Sequence, residues 1–449
     1  MPKAAATASI TRRRLAALGL PGICRGNAGL RAAVFACDAT PPPGQPNTWV
    51  EPVKKVLDPL WCKGIVIEGG GVRVVLAALD WCGVGGATHD RLCSALAHGA
   101  ATSRRNVWLH TVHQHAAPYV VEDAYPILQQ ARPSALRMSA RFLAVLAERM
   151  ANAAAAAARN LAEVRRVGTG MAPVERVASA RRLLVDGKIV TRFSSTARTP
   201  ELADLPEGDI DRDLRCVTLE GAQGVIARLA FYATHPQTFC CDGRVSADFV
   251  GAARKTVENE TGAPLIYFTG CGGDVTVGKY NQGREEQRLA LAERLAAGMR
   301  RASASTTWEP VADMAWRKSS LRLPKTAEPP RLEAAQTDAE AYRAAIRMAF
   351  LQRERPLTAC ALHLGPAVLL GLPGEPLLAF QREAQAAKAA KFVCAAGYGD
   401  IFPGYLCRDE DYRLGGYEPG ASHVGPGSEE ILRKAIRELA GSQSAREEK

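Results

Sequence analysis

The apolar and polar positions along the chain alternate between two periods, and that alternation predicts most of the elements. Residues 30–37 read as a first strand. Thr40-Pro41-Pro42-Pro43-Gly44 ends it, because proline supplies no ladder donor. Residues 64–68 and 72–80 are apolar runs joined by Gly69-Gly70-Gly71, the pattern of a hairpin. A helix is expected over 89–101, then a strand over 106–113. Phe142, Val145, Leu146 and Met150 recur at helical spacing within an Ala-rich stretch, which predicts a long helix over 134–164. After Gly168 the pattern turns to strands. Residues 217–219 and 225–232 flank Gly221-Ala222-Gln223-Gly224 as a second hairpin. Helices are expected over 247–261, 285–302, 339–353 and 429–439, and strands over 264–268 and 359–370. Strands and helices alternate irregularly, so the expected fold is α/β, a mixed β-sheet core flanked by helices. No internal repeat and no clean linker divides residues 29–440, which are expected to form one catalytic domain between an arm (1–28) and a tail (441–449).

Composition narrows the class. Apolar residues make up 47% of the 449, enough for a sizeable core, yet no apolar run reaches the roughly 20 residues of a membrane span. The net charge of +11 comes from scattered arginines without interleaved aromatics, which argues against nucleic-acid binding and leaves open a weak attraction for anions. The twelve cysteines form no CxxC pair and no disulfide framework; only Cys240 and Cys241 adjoin. Thr11-Arg12-Arg13-Arg14 before a short apolar stretch resembles a twin-arginine export signal, but Pro21-Gly22 and Arg25 interrupt it. The expected location is cytoplasmic, with export as the alternative.

The candidate chemistry sits at the ends of apolar runs. Three of the eight histidines fall in His110-Thr111-Val112-His113-Gln114-His115. If the strand continues through them, His113 and His115 share one face and can converge on one metal or one substrate, while His110 points into the core. The run Phe231-Tyr232-Ala233-Thr234-His235-Pro236 ends in a single histidine. Val368-Leu369-Leu370 empties into Gly371-Leu372-Pro373-Gly374-Glu375-Pro376, a turn with one carboxylate. Gly397-Tyr398-Gly399-Asp400 through Gly404-Tyr405, then Tyr412 and Gly415-Gly416-Tyr417-Glu418, are Gly- and Tyr-rich loops suited to line a pocket.

In their chain order these motifs resemble the catalytic domain of the neutral/alkaline ceramidases. The family's Thr-His-Thr-His-Ser-Gly/Ala-Pro is matched by Val112-His113-Gln114-His115-Ala116-Ala117-Pro118, and its Ala-Thr-His by Ala233-Thr234-His235. Its Gly-Asp loop is matched by Gly273-Asp274-Val275-Thr276-Val277, its Pro-Gly-Glu by Pro373-Gly374-Glu375, and its paired tyrosines by Tyr405 and Tyr417. The resemblance runs from about Leu30 to Leu439. It implies one zinc per chain held by His113, His235, Glu375 and Tyr405. It also implies His115 beside the metal for proton transfer, and Tyr417 or Arg181 to hold a developing oxyanion. The activity implied is cleavage of an amide of a small molecule by metal-activated water.

Two departures alter that expectation. The family's catalytic-loop serine is Thr276 here, which favours activated water over a covalent intermediate while leaving a hydrogen-bonding role to the hydroxyl. The family's immunoglobulin-like C-terminal domain has no counterpart in the sequence, nor is there an apolar docking segment, so long-chain ceramide is not the expected substrate. The alternatives are an esterase, lactamase or deacetylase on the same site, or a binding protein that keeps the fold. Oligomeric state is not legible in the sequence.

Overall fold

The computed structural model describes residues 29–310, 314–327, 330, 332–387 and 392–441. The expected arm and export signal (1–28), and all of the tail but Gly441, lie outside the described residues. Three sheets are laid down one after another along the chain. The first holds β1 (Arg31–Asp38), β2 (Trp61–Gly69), β3 (Val72–Leu79), β4 (Val107–Thr111) and β5 (Ala162–Glu163), in the order β4-β3-β2-β1-β5. The second holds β6 (Arg166–Pro173), β7 (Asp213–Gly221), β8 (Gly224–Tyr232), β9 (Leu265–Thr269) and β10 (Thr307–Pro310), in the order β9-β8-β7-β6-β10. The third holds β11 (Met314–Leu321), β12 (Leu357–Leu364), β13 (Ala367–Gly371) and β14 (Phe392–Ala396), paired in that order.

Each sheet repeats one device. An antiparallel hairpin is followed by a helix-bearing crossover that returns the chain parallel to the hairpin's second strand. The parallel pairs are β3·β4, β8·β9 and β13·β14. The crossover helices are α1 (Gly86–Gly99), α3 (Asp248–Thr261) and α6 (Leu378–Gln385). Further helices α2 (Ala140–Arg159), α4 (Glu285–Ala304), α5 (Asp338–Gln352) and α7 (Ser428–Ala440) complete the outer layers. One apolar cluster joins the three sheets, with Ile65 and Leu76 from the first, Phe231 and Phe268 from the second, and Leu362 and Leu369 from the third. Trp108 stacks on Phe268, and Phe268 on Phe231, at centroid distances of 5.1 and 4.9 Å. Burial on this scale is the main stabilising term, at about 25 cal/mol per Å² of apolar surface.

The α/β expectation stands: mixed sheets are flanked by helices. Several boundaries moved. The long helix is shorter than 134–164, starting where Ser139 accepts a bond from the amide of Phe142 and ending before the edge strand β5. The single strand expected over 359–370 is two strands, β12 and β13, turning at Gly365, where φ is +54°. Both strands are so apolar that they read as one buried run. The strands β11 and β14 carried too little alternation to be predicted.

The C-terminal ends of the three parallel pairs meet and are tied by polar bonds. His110 donates from Nδ1 to the carbonyl of Gly397 (2.8 Å) and accepts at Nε2 from the amide of Thr269 (3.0 Å), so one imidazole joins β4, β9 and the loop after β14. Its expected place in the core is confirmed: it is fully buried, and burial pushes its pKa down to about 3. Thr269 Oγ1 donates to the carbonyl of Val112 (2.7 Å), and the amide of Thr111 to that of Tyr398 (2.8 Å). These junctions fix the loops that leave the strand ends, where open α/β sheets place their ligands.

Candidate active site

Every residue singled out as a metal ligand leaves one of those strand ends. His113 follows β4, His235 follows β8, Glu375 follows β13 and Tyr405 lies beyond β14. The strand under the first histidines stops at Thr111, and His113 adopts φ +71°. The alternation argument therefore does not describe this segment. His113 and His115 are brought together by a turn, at a cost that non-glycine residues in the left-handed region pay chiefly at functional sites.

The geometry of three side chains converges on one point. His113 Nε2 lies 3.2 Å from Glu375 Oε2, and His235 Nε2 lies 3.1 Å from the same oxygen. All three residues are buried. Each imidazole is oriented by its other nitrogen: His113 Nδ1 donates to the carbonyl of Cys82 (2.5 Å), and His235 Nδ1 to those of Gly272 (2.7 Å) and Val275 (3.0 Å). Those bonds turn both Nε2 atoms toward the carboxylate, as the partners of metal-binding histidines do. Two donor atoms on a tetrahedral zinc with bonds of about 2.05 Å stand about 3.3 Å apart, close to the separations observed.

The charges point the same way. Burial alone would lower the pKa of His113, but Glu375 and then the Cys82 thiol reverse that and raise it to about 10. Burial would likewise raise Glu375, yet His113 and His235 hold it well below the usual carboxylate range. A carboxylate wedged between two buried imidazoles calls for positive charge at their meeting point. The donor set thus fits a zinc ion. Cys82, His113 and His115 form a second close group, but His113 turns its Nδ1 toward Cys82 and bonds the carbonyl there, so the lone pair left for a metal belongs to the Glu375 side.

Tyr405 pairs with Glu375 in a short parallel ladder, Glu375–Pro376 with Tyr405–Leu406, which sets the two side by side. Its ring lies parallel to that of His235 at 6.5 Å. His115 stands next to the cluster, with Nε2 3.3 Å from His113 Nε2 and accepting a bond from Gln237 Nε2 (2.8 Å). Burial first, then the neighbouring His113 and His235, hold its pKa well below the ordinary histidine value. Arg181 is buried, with Nε donating to Glu418 Oε1 (2.7 Å) and Nη2 to the carbonyl of Gly273. Its guanidinium lies over the rings of Tyr405 and Tyr417, at 5.1 and 5.3 Å. Two of its nitrogens are thus committed to the protein, and its remaining reach is toward the two phenols. Thr276 is buried, pairs with Ser179 through the backbone, and has a hydroxyl without a hydrogen-bond partner among the described residues.

The Gly-Asp loop supports rather than enters this cluster. A Cβ on Gly273 would come within 2.6 Å of the carbonyl of Glu375, so the loop can pack on the ligand strand only with glycine there. Asp274 Oδ1 accepts the amide of Leu378 at the start of α6 (2.8 Å). His113, His115, Glu375, Tyr405 and Tyr417 open onto one cavity of about 700 Å³, in the size range of small-molecule sites.

Four contributors lie outside the expected site residues. Tyr398, in a loop expected to line a pocket, stacks on His113 at 4.3 Å, and its buried hydroxyl has no hydrogen-bond partner among the described residues. Gln237 orients His115, Glu418 neutralises Arg181, and the Cys82 carbonyl orients His113. None of these has a local signature, because each acts on a residue far away in sequence.

No protein-family model matches the chain, and no curated protein matches it. Among solved structures, the crystal structure of neutral ceramidase from Pseudomonas aeruginosa superposes with a TM-score of 0.72 at 16% identity, covering 92% of this chain and 74% of that one. The chain has the neutral ceramidase fold. A second structure, a ceramidase complexed with C2, gives 0.69 at 16% identity, covering 92% and 75%. Among the described residues no helix is long and apolar enough to cross a membrane.

Proposed function

We propose that this chain is a zinc-dependent hydrolase of amide (N-acyl) bonds in small molecules, with His113, His235, Glu375 and Tyr405 as the metal ligands. One observation carries the reading: two imidazole Nε2 atoms lie 3.1–3.2 Å from a shared carboxylate oxygen, buried, each held by its own Nδ1 bond. The ceramidase fold around it supports the choice of bond. Zinc in such a site supplies Lewis-acid polarisation of a carbonyl and a water acidified to a pKa of about 7.

The chain's own groups do the rest. His115 Nε2, poised beside the cluster and bonded by Gln237, accepts a proton and returns it to the departing amine. Tyr417 presents its phenol to the carbonyl oxygen as negative charge builds there. Arg181, over both Tyr405 and Tyr417, makes a phenolate-like oxygen easier to sustain. Thr276 takes no part as nucleophile, since among the described residues no basic side chain bonds its hydroxyl. A panel of N-acyl substrates with the zinc-loaded protein tests the reading. Short soluble amides are expected to turn over faster than long-chain ceramide. A protein that holds zinc and cleaves no amide would refute it.

A further inference from the structure

One wall of the active cavity has no task in the chemistry above. It is α5, on which Arg343 and Arg347 stand one helical turn apart and line the same cavity as His113, His115, Glu375 and Tyr417. Side chains four apart on a helix lie on one face, about 5–6 Å apart at Cβ. Neither arginine has an ion-pair partner within 4 Å among the described residues. Arg343 lies over the indole of Trp49 at 5.1 Å. Arg347 donates to the carbonyl of Gly420 (3.2 Å) and to Thr326 Oγ1 (3.1 Å), and its buried Nε has no partner among the described residues. The carboxylate on this wall, Glu340, accepts the amides of Gln336 (2.7 Å) and Thr337 (3.2 Å) at its own helix start through one oxygen, Oε2. Two guanidiniums therefore line the cavity, with Glu340 on the same wall and Glu375 held in the histidine cluster.

Arginine stays charged at any pH the protein meets, and its planar fork matches a carboxylate. The indole under Arg343 holds that fork flat without neutralising it. The same cavity is also lined by the small or apolar Ala335, Ala344, Ile346 and Ala421, two of them on α5 itself. We propose that the substrate is a small amide bearing a carboxylate, bound by Arg343 and Arg347 while its acyl or alkyl segment crosses the apolar lining to the metal cluster. This rests on the hydrolase reading above and adds a substrate class to it.

The test compares three amides of similar length on the zinc-loaded full chain. N-hexanoylglycine carries the anion on the amine side, the monoamide of suberic acid carries it on the acyl side, and N-hexanoylglycinamide is neutral. At least one anionic substrate should exceed the neutral one in kcat/KM by about tenfold or more, chiefly through KM. The arm that wins assigns the side. That ratio should collapse in the Arg343→Gln/Arg347→Gln variant and return in part with Arg343→Lys/Arg347→Lys. A neutral amide cleaved equally well, or a preference that survives the double Gln variant, would overturn the proposal. If no amide is cleaved, the hydrolase reading fails alone. Calorimetric binding of N-hexanoylglycine then decides this proposal: about tenfold weaker binding in the double Gln variant supports it, and unchanged binding refutes it.

Discussion

Replacing Glu418 with glutamine should destabilise the protein by about 3 kcal/mol. Glu418 is fully buried and receives Arg181 Nε at 2.7 Å and Arg182 Nη1 at 2.9 Å. Glutamine keeps the volume and removes the charge. Arg181 would then be a buried cation whose remaining protein partners are the carbonyl of Gly273 and two aromatic faces. Breaking a buried pair by removing one partner costs about 3–5 kcal/mol. The lower end applies because Arg182 keeps Asp411 at 3.5 Å and a glutamine oxygen still accepts one bond. Urea unfolding followed by circular dichroism measures the effect. With a slope of about 3 kcal/mol per M, the midpoint should fall by about 1 M. Metal content should not change, since no proposed ligand is touched, while kcat should fall because Arg181 positions Tyr405 and Tyr417. A midpoint within about 0.2 M of wild type would refute the claim that Glu418 is the counter-charge of Arg181.

Three further outcomes are expected. His115→Ala should lower kcat by roughly 10²–10⁴ with zinc retained, as for a lost proton carrier; loss of zinc on metal analysis would make His115 a ligand instead. Thr276→Val should leave turnover within about tenfold of wild type, a lost hydrogen bond being worth about 0.5–1.5 kcal/mol; abolished turnover in folded, zinc-loaded protein, or an acyl group trapped on Thr276, would reverse that assignment. Stability should fall on acidification. Burial depresses His110 to about 3 and His423 to about 4, so below pH ~6.5 the unfolded chain binds more protons than the folded one. Their contribution is complete above that pH and lost as pH falls toward 4. Melting temperatures between pH 7 and 4.5 should therefore decline, and His110→Gln should flatten the decline by up to about 1.4 kcal/mol per pH unit; an unchanged slope would show that His110 is not neutral in the fold.

Three of the proposed ligands are legible in the sequence because each closes an apolar run, and buried parallel strands read as such runs. His113, His235 and Glu375 sit at three of these ends, and their order along the chain supplied the resemblance. What closes the site was not legible. Tyr398 reaches His113 from the loop after β14, Gln237 reaches His115 from the loop after β8, and Glu418 reaches Arg181 across more than half the chain. Such pairings depend on how three sheets meet, which local periodicity does not encode. The turn that brings His113 to φ +71° was hidden for the same reason, since the preceding strand pattern gave no sign of stopping at Thr111.

Everything proposed for the reaction depends on His113, His235 and Glu375 holding a metal. Metal analysis of the full chain purified without chelator, beside His235→Ala and Glu375→Ala variants shown to be folded, tests it most directly. About one zinc per wild-type chain is expected, with most of it lost in each variant. Wild-type protein that takes up no zinc when it is offered, or variants that keep a full complement, would contradict it.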